Sequence, residues 1–226
     1  MGNEDALLLV LQHADSAFPS GGFAFSQGLE GYAALAGRPE LAGLESFLRT
    51  QIRLRWASAD RIALIRAHRT GGDLEAISEI DAEIEAVTLP EPLRSGSRRN
   101  GAAFLATHAR LGVAAATAYR ARIRQGRGHG HLLAMQGLVW STLGVGEAEA
   151  AAVSGYQFAA AMIQAAVRLG LTGAIDAQRV LAELRPEIAA AVERPVPRDA
   201  DIESYTPLAD IAAMRHARQE SRLFAN

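Results

Sequence analysis

The sequence predicts an all-α, single-domain helical bundle with a C-terminal tether and docking helix, on three observations. Alanine supplies about a fifth of the 226 residues, supported by other strong helix formers. Apolar residues recur at three- and four-residue spacing rather than alternating, the period of a helix buried on one face. Prolines and paired glycines interrupt that pattern at intervals suited to helices rather than strands.

In chain order, Leu7, Leu8, Val10 and Leu11 mark a first short helix, stopped by the run Asp15 to Gly22 with its Pro19 and paired glycines. A second helix is expected after Ser26 as N-cap, ending at Gly37. Leu44, Phe47, Leu48, Ile52, Trp56, Ile62 and Ile65 keep a helical stripe through Leu41 to His68, which reads as a long core-facing helix or hairpin. Asp73 can cap the next helix, which Pro90 and Pro92 terminate. A helix from about Leu93 through Leu111 contains Gly96 and Gly101, which weaken it by about 1 kcal/mol each relative to Ala and imply close packing. His131 to Leu143 and Gly146 to Leu171 are apolar nearly all round, as central helices are. Beyond Arg185, prolines 186, 195, 197 and 207 with the charged stretch Arg198 to Glu203 predict a tether before a final amphipathic helix, Leu208 to about Leu223. The expected division is a bundle over 1–195 and a tether with docking helix over 196–226.

Two absences exclude whole chemistries. The chain has no cysteine, and all 23 of its basic residues are arginine. Disulfides, thiolate nucleophiles, Fe–S clusters and sulfur-ligated zinc are ruled out, as are a Walker-type phosphate lysine and a Schiff base. A formal net charge of -2 argues against a nucleic-acid binder, whose basic stripe should dominate the balance. No uninterrupted apolar run approaches the roughly 20 residues of a membrane span, and the acidic start lacks a secretory signal pattern, so the expectation is a soluble cytoplasmic protein.

Phe18 to Glu30 looks at first like a glycine-rich phosphate cradle. It lacks a lysine and a preceding strand, and its three phenylalanines prefer burial, so it reads as a packed structural turn built on Pro19, Gly21, Gly22, Phe23, Ser26, Gln27, Gly28 and Glu30. Glu30 is expected to favour the positive end of its helix dipole. His129 and His131 offer two imidazoles for nickel or zinc, but a closed site needs more ligands. His13, His68, His108 and His216 sit singly on helical patterns and read as satisfied neighbours of the core. Asp81, Glu83 and Glu85 read as a solvated face. Arg94, Arg98 and Arg99, with Arg120, Arg122, Arg124 and Arg127, form two local basic patches, either for solubility or as a dock for an acidic surface. No nucleophile and base stand together, and neither enzymatic activity nor a cofactor is expected.

Three separated blocks resemble the UreF-type urease accessory proteins. Leu7 to Glu30 follows that family's N-terminal pattern, with Ala24 and Phe25 where Ser and Tyr are commoner. His131 to Arg179 follows in register through His131, Gly137, Leu143-Gly144, Ala166 to Leu169, Gly173, Gln178 and Arg179, with Ala174 and Ala177 replacing a Gln and a Gly. Ser204 to Phe224 resembles the C-terminal signature through Thr206, Pro207, Leu208, Asp210, Ile211, Met214, Arg215, His216, Ser221, Arg222, Leu223 and Phe224. Arg38 to Pro92 matches only in helical character. The resemblance implies an all-helical, often dimeric adaptor that joins a UreD-type (UreH) scaffold, recruits the UreG-type GTPase and serves nickel insertion into apo-urease. It implies that the tail residues meet the scaffold, with Gln178 and Arg179 at a partner surface; Arg179 is either an arginine finger or an interface ion-pair former. The competing reading from the residues is a nickel- or zinc-binding helical protein using His129 and His131. A third is a helical enzyme whose cofactor fills an apolar pocket.

Overall fold

The computed structural model describes residues 3–19, 25–219 and 223–224. Gly21, Gly22 and Phe23 of the expected turn, and Ser221 and Arg222 of the expected docking tail, lie outside the described residues. The helices are α1 (Asn3–Ala14), α2 (Leu29–Ala36), α3 (Leu41–Gln51), α4 (Arg61–Arg69), α5 (Leu74–Val87), α6 (Glu91–Arg110), α7 (Ala114–Arg124), α8 (Leu132–Thr142), α9 (Glu147–Arg168), α10 (Ala174–Glu193) and α11 (Pro207–His216). No strand occurs among the described residues, so the all-α expectation holds.

Local sequence accounts for most boundaries. Asp73 caps α5 as expected, its Oδ1 accepting from the backbone N–H of Glu75 at 2.9 Å and of Ala76 at 3.3 Å. α2 starts at Leu29, three residues past Ser26, after Gln27 and Gly28 turn the chain at φ 57° and 84°. Ser26 Oγ still accepts the Glu30 N–H at 3.3 Å. The long stripe from Leu41 becomes one continuous rod in which α3 and α4 are joined by a π-helical segment, Ile52–Asp60. Nothing in the residue pattern announces that change of winding.

The helices enclose two main apolar clusters. One gathers Leu29, Leu44, Phe47, Leu48, Trp56, Met162, Leu181 and Leu184 from α2, α3, the π-helical segment, α9 and α10. The other gathers Leu64, Ile77, Phe104, Leu105, Tyr119, Met135, Leu138, Trp140 and Val153 from α4 to α9. α9 crosses both, which explains its nearly all-round apolar sequence. By length and composition alone it could cross a membrane, yet most of that apolar window is buried in the bundle. Close packing at Gly101 is also confirmed: a Cβ there would collide with the Gly130 carbonyl oxygen, which lies against α6.

Two expectations about the C-terminal third are corrected. Pro186 does not end its helix, since α10 runs on to Glu193. A proline inside a helix costs ~3 kcal/mol, and the turns around it are held by burial of Leu184, Ile188 and Ala191. Nor does the segment after α10 lead away from the bundle. Val196 and Ile202 are buried, Glu203 N–H donates to Ser58 O at 3.3 Å, and Tyr205 N–H donates to Leu54 O at 3.0 Å, so the chain is fastened along the π-helical segment. α11 then packs on α2 through Ala209, Ala212, Ala213 and His216. Removing residues 204–226 is therefore expected to uncover Leu29 and Ala33 and lower the melting temperature. A loss of ~2 kcal/mol would give about 4–8 °C for a chain of this size. Calorimetry of the truncated and full chains checks this.

Candidate functional site

The family-like turn and tail, far apart in sequence, meet at the contact between α2 and α11. Alanines line the inner face of α11 so tightly that a Cβ on Gly31 would run into the Ala212 carbonyl. Small residues permit that approach, and the larger apolar side chains face outward: Leu208 is 54% exposed, Ile211 49% and Met214 46%. They follow the i, i+3, i+6 spacing of one helical stripe, with Tyr205 exposed just before it. Pro207 opens α11. Thr206 occupies the N-cap position but makes no side-chain bond to the backbone there. Asp210 sits beside Thr206 and Arg55, and burial pushes its carboxyl above the usual value.

Glu30 joins the two segments. One carboxylate oxygen accepts the backbone N–H of Leu223 at 2.8 Å and the other that of Phe224 at 2.9 Å. His216 is fully buried with Nε2 at 2.8 Å from Glu30 Oε2, a close polar contact without hydrogen-bond alignment. Phe224 is buried under the Arg168 guanidinium, 4.2 Å from the ring centroid, whereas Leu223 is exposed. Position near the start of α2 was legible as a dipole effect, but the bond to a partner 193 residues away was not. Of the expected docking residues, Leu208, Ile211, Met214, Arg215 and Leu223 face out, while His216 and Phe224 belong to the interior.

On α10, Gln178 and Arg179 are exposed beside Ile175, itself 69% exposed. Arg179 makes an i−3 ion pair with Asp176 at 2.6 Å, the common fate of a surface arginine. This face is separate in sequence from the α11 stripe and is carried by a different helix.

The histidine loop departs from its sequence reading. Asp81 is fully buried, and its carboxylate accepts four hydrogen bonds: from Tyr119 Oη at 2.9 Å and from the backbone N–H groups of His129 (2.6 Å), Gly130 (2.8 Å) and His131 (2.8 Å). Burial and the Asp81 charge together push the Tyr119 hydroxyl well above its ordinary value. Glu85 accepts from His131 Nε2 at 2.7 Å and from Arg98 at 2.7 Å. Burial pushes the Glu85 carboxyl up, but the His131 hydrogen bond and Arg98 outweigh it and hold the group below its usual range. Asp81 is thus a buried anchor, and Glu85 a carboxylate shared by Arg94, Arg98 and His131, rather than parts of a solvated face; their place among apolar residues of α5 was the available signal.

These contacts weaken the metal reading. His131 is buried with Nε2 committed to Glu85, burial lowers its pKa, and its ring centroid is 6.1 Å from that of His129. Among the described residues no three His, Asp or Glu side chains converge as a metal site. The first arginine patch is spoken for, Arg94 and Arg98 by Glu85 and Arg99 by the Phe25 ring; in the second, Arg122 is held by Glu75 and Ser78 while Arg124 and Arg127 are exposed. A cavity of about 420 Å³ mixes Trp56, Phe25 and Phe158 with Arg55, Asp60, Asn100 and Gln136, so its lining is mixed rather than the apolar cofactor slot envisaged.

The described residues form an all-helical frame with an outward apolar face on α11 and a polar one on α10, the surfaces of a protein that makes contacts. The UreF family profile matches residues 40–185. The chain is 32% identical to the urease accessory protein UreF of Trichodesmium erythraeum, covering 97% of this chain and 96% of that protein. It is 31% identical to UreF of Klebsiella pneumoniae strain 342, covering 99% of both, and 33% identical to that of Cereibacter sphaeroides, covering 97% and 98%. The chain belongs to the UreF family of urease accessory proteins. The stretch Arg38 to Pro92, expected to match only in helical character, lies mostly inside the matched profile, while the tail lies outside it and is covered by the full-length relatives.

Asp81→Asn is expected to cost at least ~3 kcal/mol, because the amide turns an N–H₂ toward donors that lose a charged acceptor in a buried site. His129→Ala, at a half-exposed side chain, should stay within about 0.5 kcal/mol. Urea denaturation of both variants checks the contrast.

Proposed function

We propose that this chain is the adaptor of a urease maturation complex, holding a UreD/UreH-type scaffold through α11 and a UreG-type GTPase through the exposed face of α10, so that GTP hydrolysis is coupled to nickel insertion into apo-urease. The reading is that of a cytoplasmic protein without catalysis of its own, working as a homodimer. One observation supports it most: the Leu208, Ile211 and Met214 stripe stays uncovered on a helix whose opposite face is already fixed. An exposed apolar row on a fixed helix is suited to helix-in-groove recognition, and its ordering entropy has been met before the partner arrives. An adaptor influences a nucleotide switch only by binding its states unequally, and a charged, exposed α10 surface offers contacts that can differ between states.

Ile211→Asp with Met214→Asp should leave the melting temperature within about 2 °C while abolishing capture of the UreD-type scaffold in a pull-down and urease activation in a reconstituted assay. Normal capture by that folded double variant would move the scaffold site elsewhere. Arg179→Ala separates the two readings of that residue. A finger predicts a loss of GTPase stimulation by about 10³-fold or more with complex formation intact, whereas an ion pair predicts weaker complex formation and proportionate loss of rate.

A further inference from the structure

His13 near the end of α1 and His108 near the end of α6 meet in the interior, 2% and 1% exposed. Their Nε2 atoms are 2.8 Å apart. The ring centroids are 5.0 Å apart at an interplanar angle of 12°, the arrangement of two imidazoles meeting edge to edge in nearly a common plane. That is the head-on geometry of one N–H···N hydrogen bond. Each Nδ1 faces the carbonyl of its own preceding turn, His13 with Leu9 O at 2.8 Å and His108 with Phe104 O at 2.9 Å.

A carbonyl oxygen only accepts, so both Nδ1 atoms must carry hydrogen for those bonds to exist, and the Nε2 contact needs one hydrogen more. Three hydrogens on four ring nitrogens is one proton more than two neutral imidazoles hold. Two neutral rings leave one bond unmade; two charged rings set N–H against N–H at 2.8 Å. We propose that His13 and His108 form one proton-binding site that latches α1 to the bundle, accepting a single proton and releasing the helix when a second is forced on.

The surroundings favour this stoichiometry. The pair is enclosed by Phe18, Phe104 and Trp140, and Gln157 donates to the His13 carbonyl from α9 without adding charge. Besides burial and the Phe104 carbonyl, the one group that acts on His108 is His13 itself, and burial pulls His108 down to about 4 and His13 below its ordinary value. Asp15, the acid nearest His13 in sequence and just beyond the end of α1, accepts from the Ala17 N–H instead. The unfolded chain takes two protons below the ordinary imidazole value of about 6.5, while the folded pair takes at most one. Stability of the α1 contact is therefore full above about 6.5 and is lost as pH falls from there toward 4.

Hydrogen exchange of the full chain, with α1 amides referred to α8 amides in the same sample, reads the latch. Relative protection of α1 should fall at least about tenfold per pH unit across that window, the slope of one net proton or more. His108→Gln and His13→Gln, each leaving one titratable ring, should flatten the dependence. Nitrogen-15 spectra of the wild-type imidazoles give a measure that needs no variant: one shared uptake step involving both rings is expected. Independent titration of the two rings near the ordinary value, a pH-invariant protection ratio, or an unchanged slope in a folded Gln variant would overturn the proposal.

Discussion

The structure depends on backbones that approach one another closely. Gly31 lies against the Ala212 carbonyl and Gly101 against that of Gly130, in each case where no side chain would fit. Glycine in a helix interior costs about 1 kcal/mol relative to Ala, and tight packing density is the compensation. A bundle held this way fills its interior with alanine as much as with leucine: Ala63, Ala116, Ala134, Ala159, Ala166 and Ala212 are all essentially inaccessible. High alanine content is then a packing requirement as well as a helix propensity.

Close approach has a consequence at the surface. When Ala209, Ala212 and Ala213 suffice to seat α11 on α2, Leu208, Ile211 and Met214 are not needed for folding and remain outside. The same division occurs on α1, where Leu9 and Val10 pack inward while Leu7, Leu8 and Leu11 are more than half exposed. Scattered exposed apolar residues are ordinary, but rows of three on one helical face mark contact surfaces more often. A single amphipathic rule, large apolar side chains inward, therefore assigns the wrong face of both helices to the core.

This explains which features the sequence carried. Helices α5, α8 and α9 were legible because caps, prolines and 3.6-residue periodicity are local. Asp73 is the plainest case, its role fixed by the amides two and three residues on. The π-helical winding at Ile52–Asp60 left no such mark, and the chain 196–206 looked like a tether because proline and charge describe local preference but not the Ser58 and Leu54 carbonyls that receive its amides. Most of the site failed to be legible for the same reason. Asp81 reaches a loop 48 residues on, and Glu30 a tail 193 residues on. Acidic residues read from their own helix look solvated, and only the third dimension supplies the donors that make burial tolerable.

Those long-range carboxylates also bear on what such a frame can do. A buried Asp that satisfies three successive backbone N–H groups fixes the loop before α8 in one conformation, because any other leaves a charge without donors. Glu30 imposes the same demand on Leu223 and Phe224 at the far end of the chain. Apolar packing alone would tolerate slippage of alanine faces past one another, since small side chains interlock weakly. Carboxylates at the junctions remove that freedom: sliding α11 along α2 by one turn would strand Glu30. The exposed stripe is thereby held in register with the bundle, so that a partner grasping α11 is mechanically connected to α2 and, through the first apolar cluster, to α9 and α10. Two surfaces on one body keep a fixed relation only through such joints, and here the joints are carboxylates that accept backbone N–H groups.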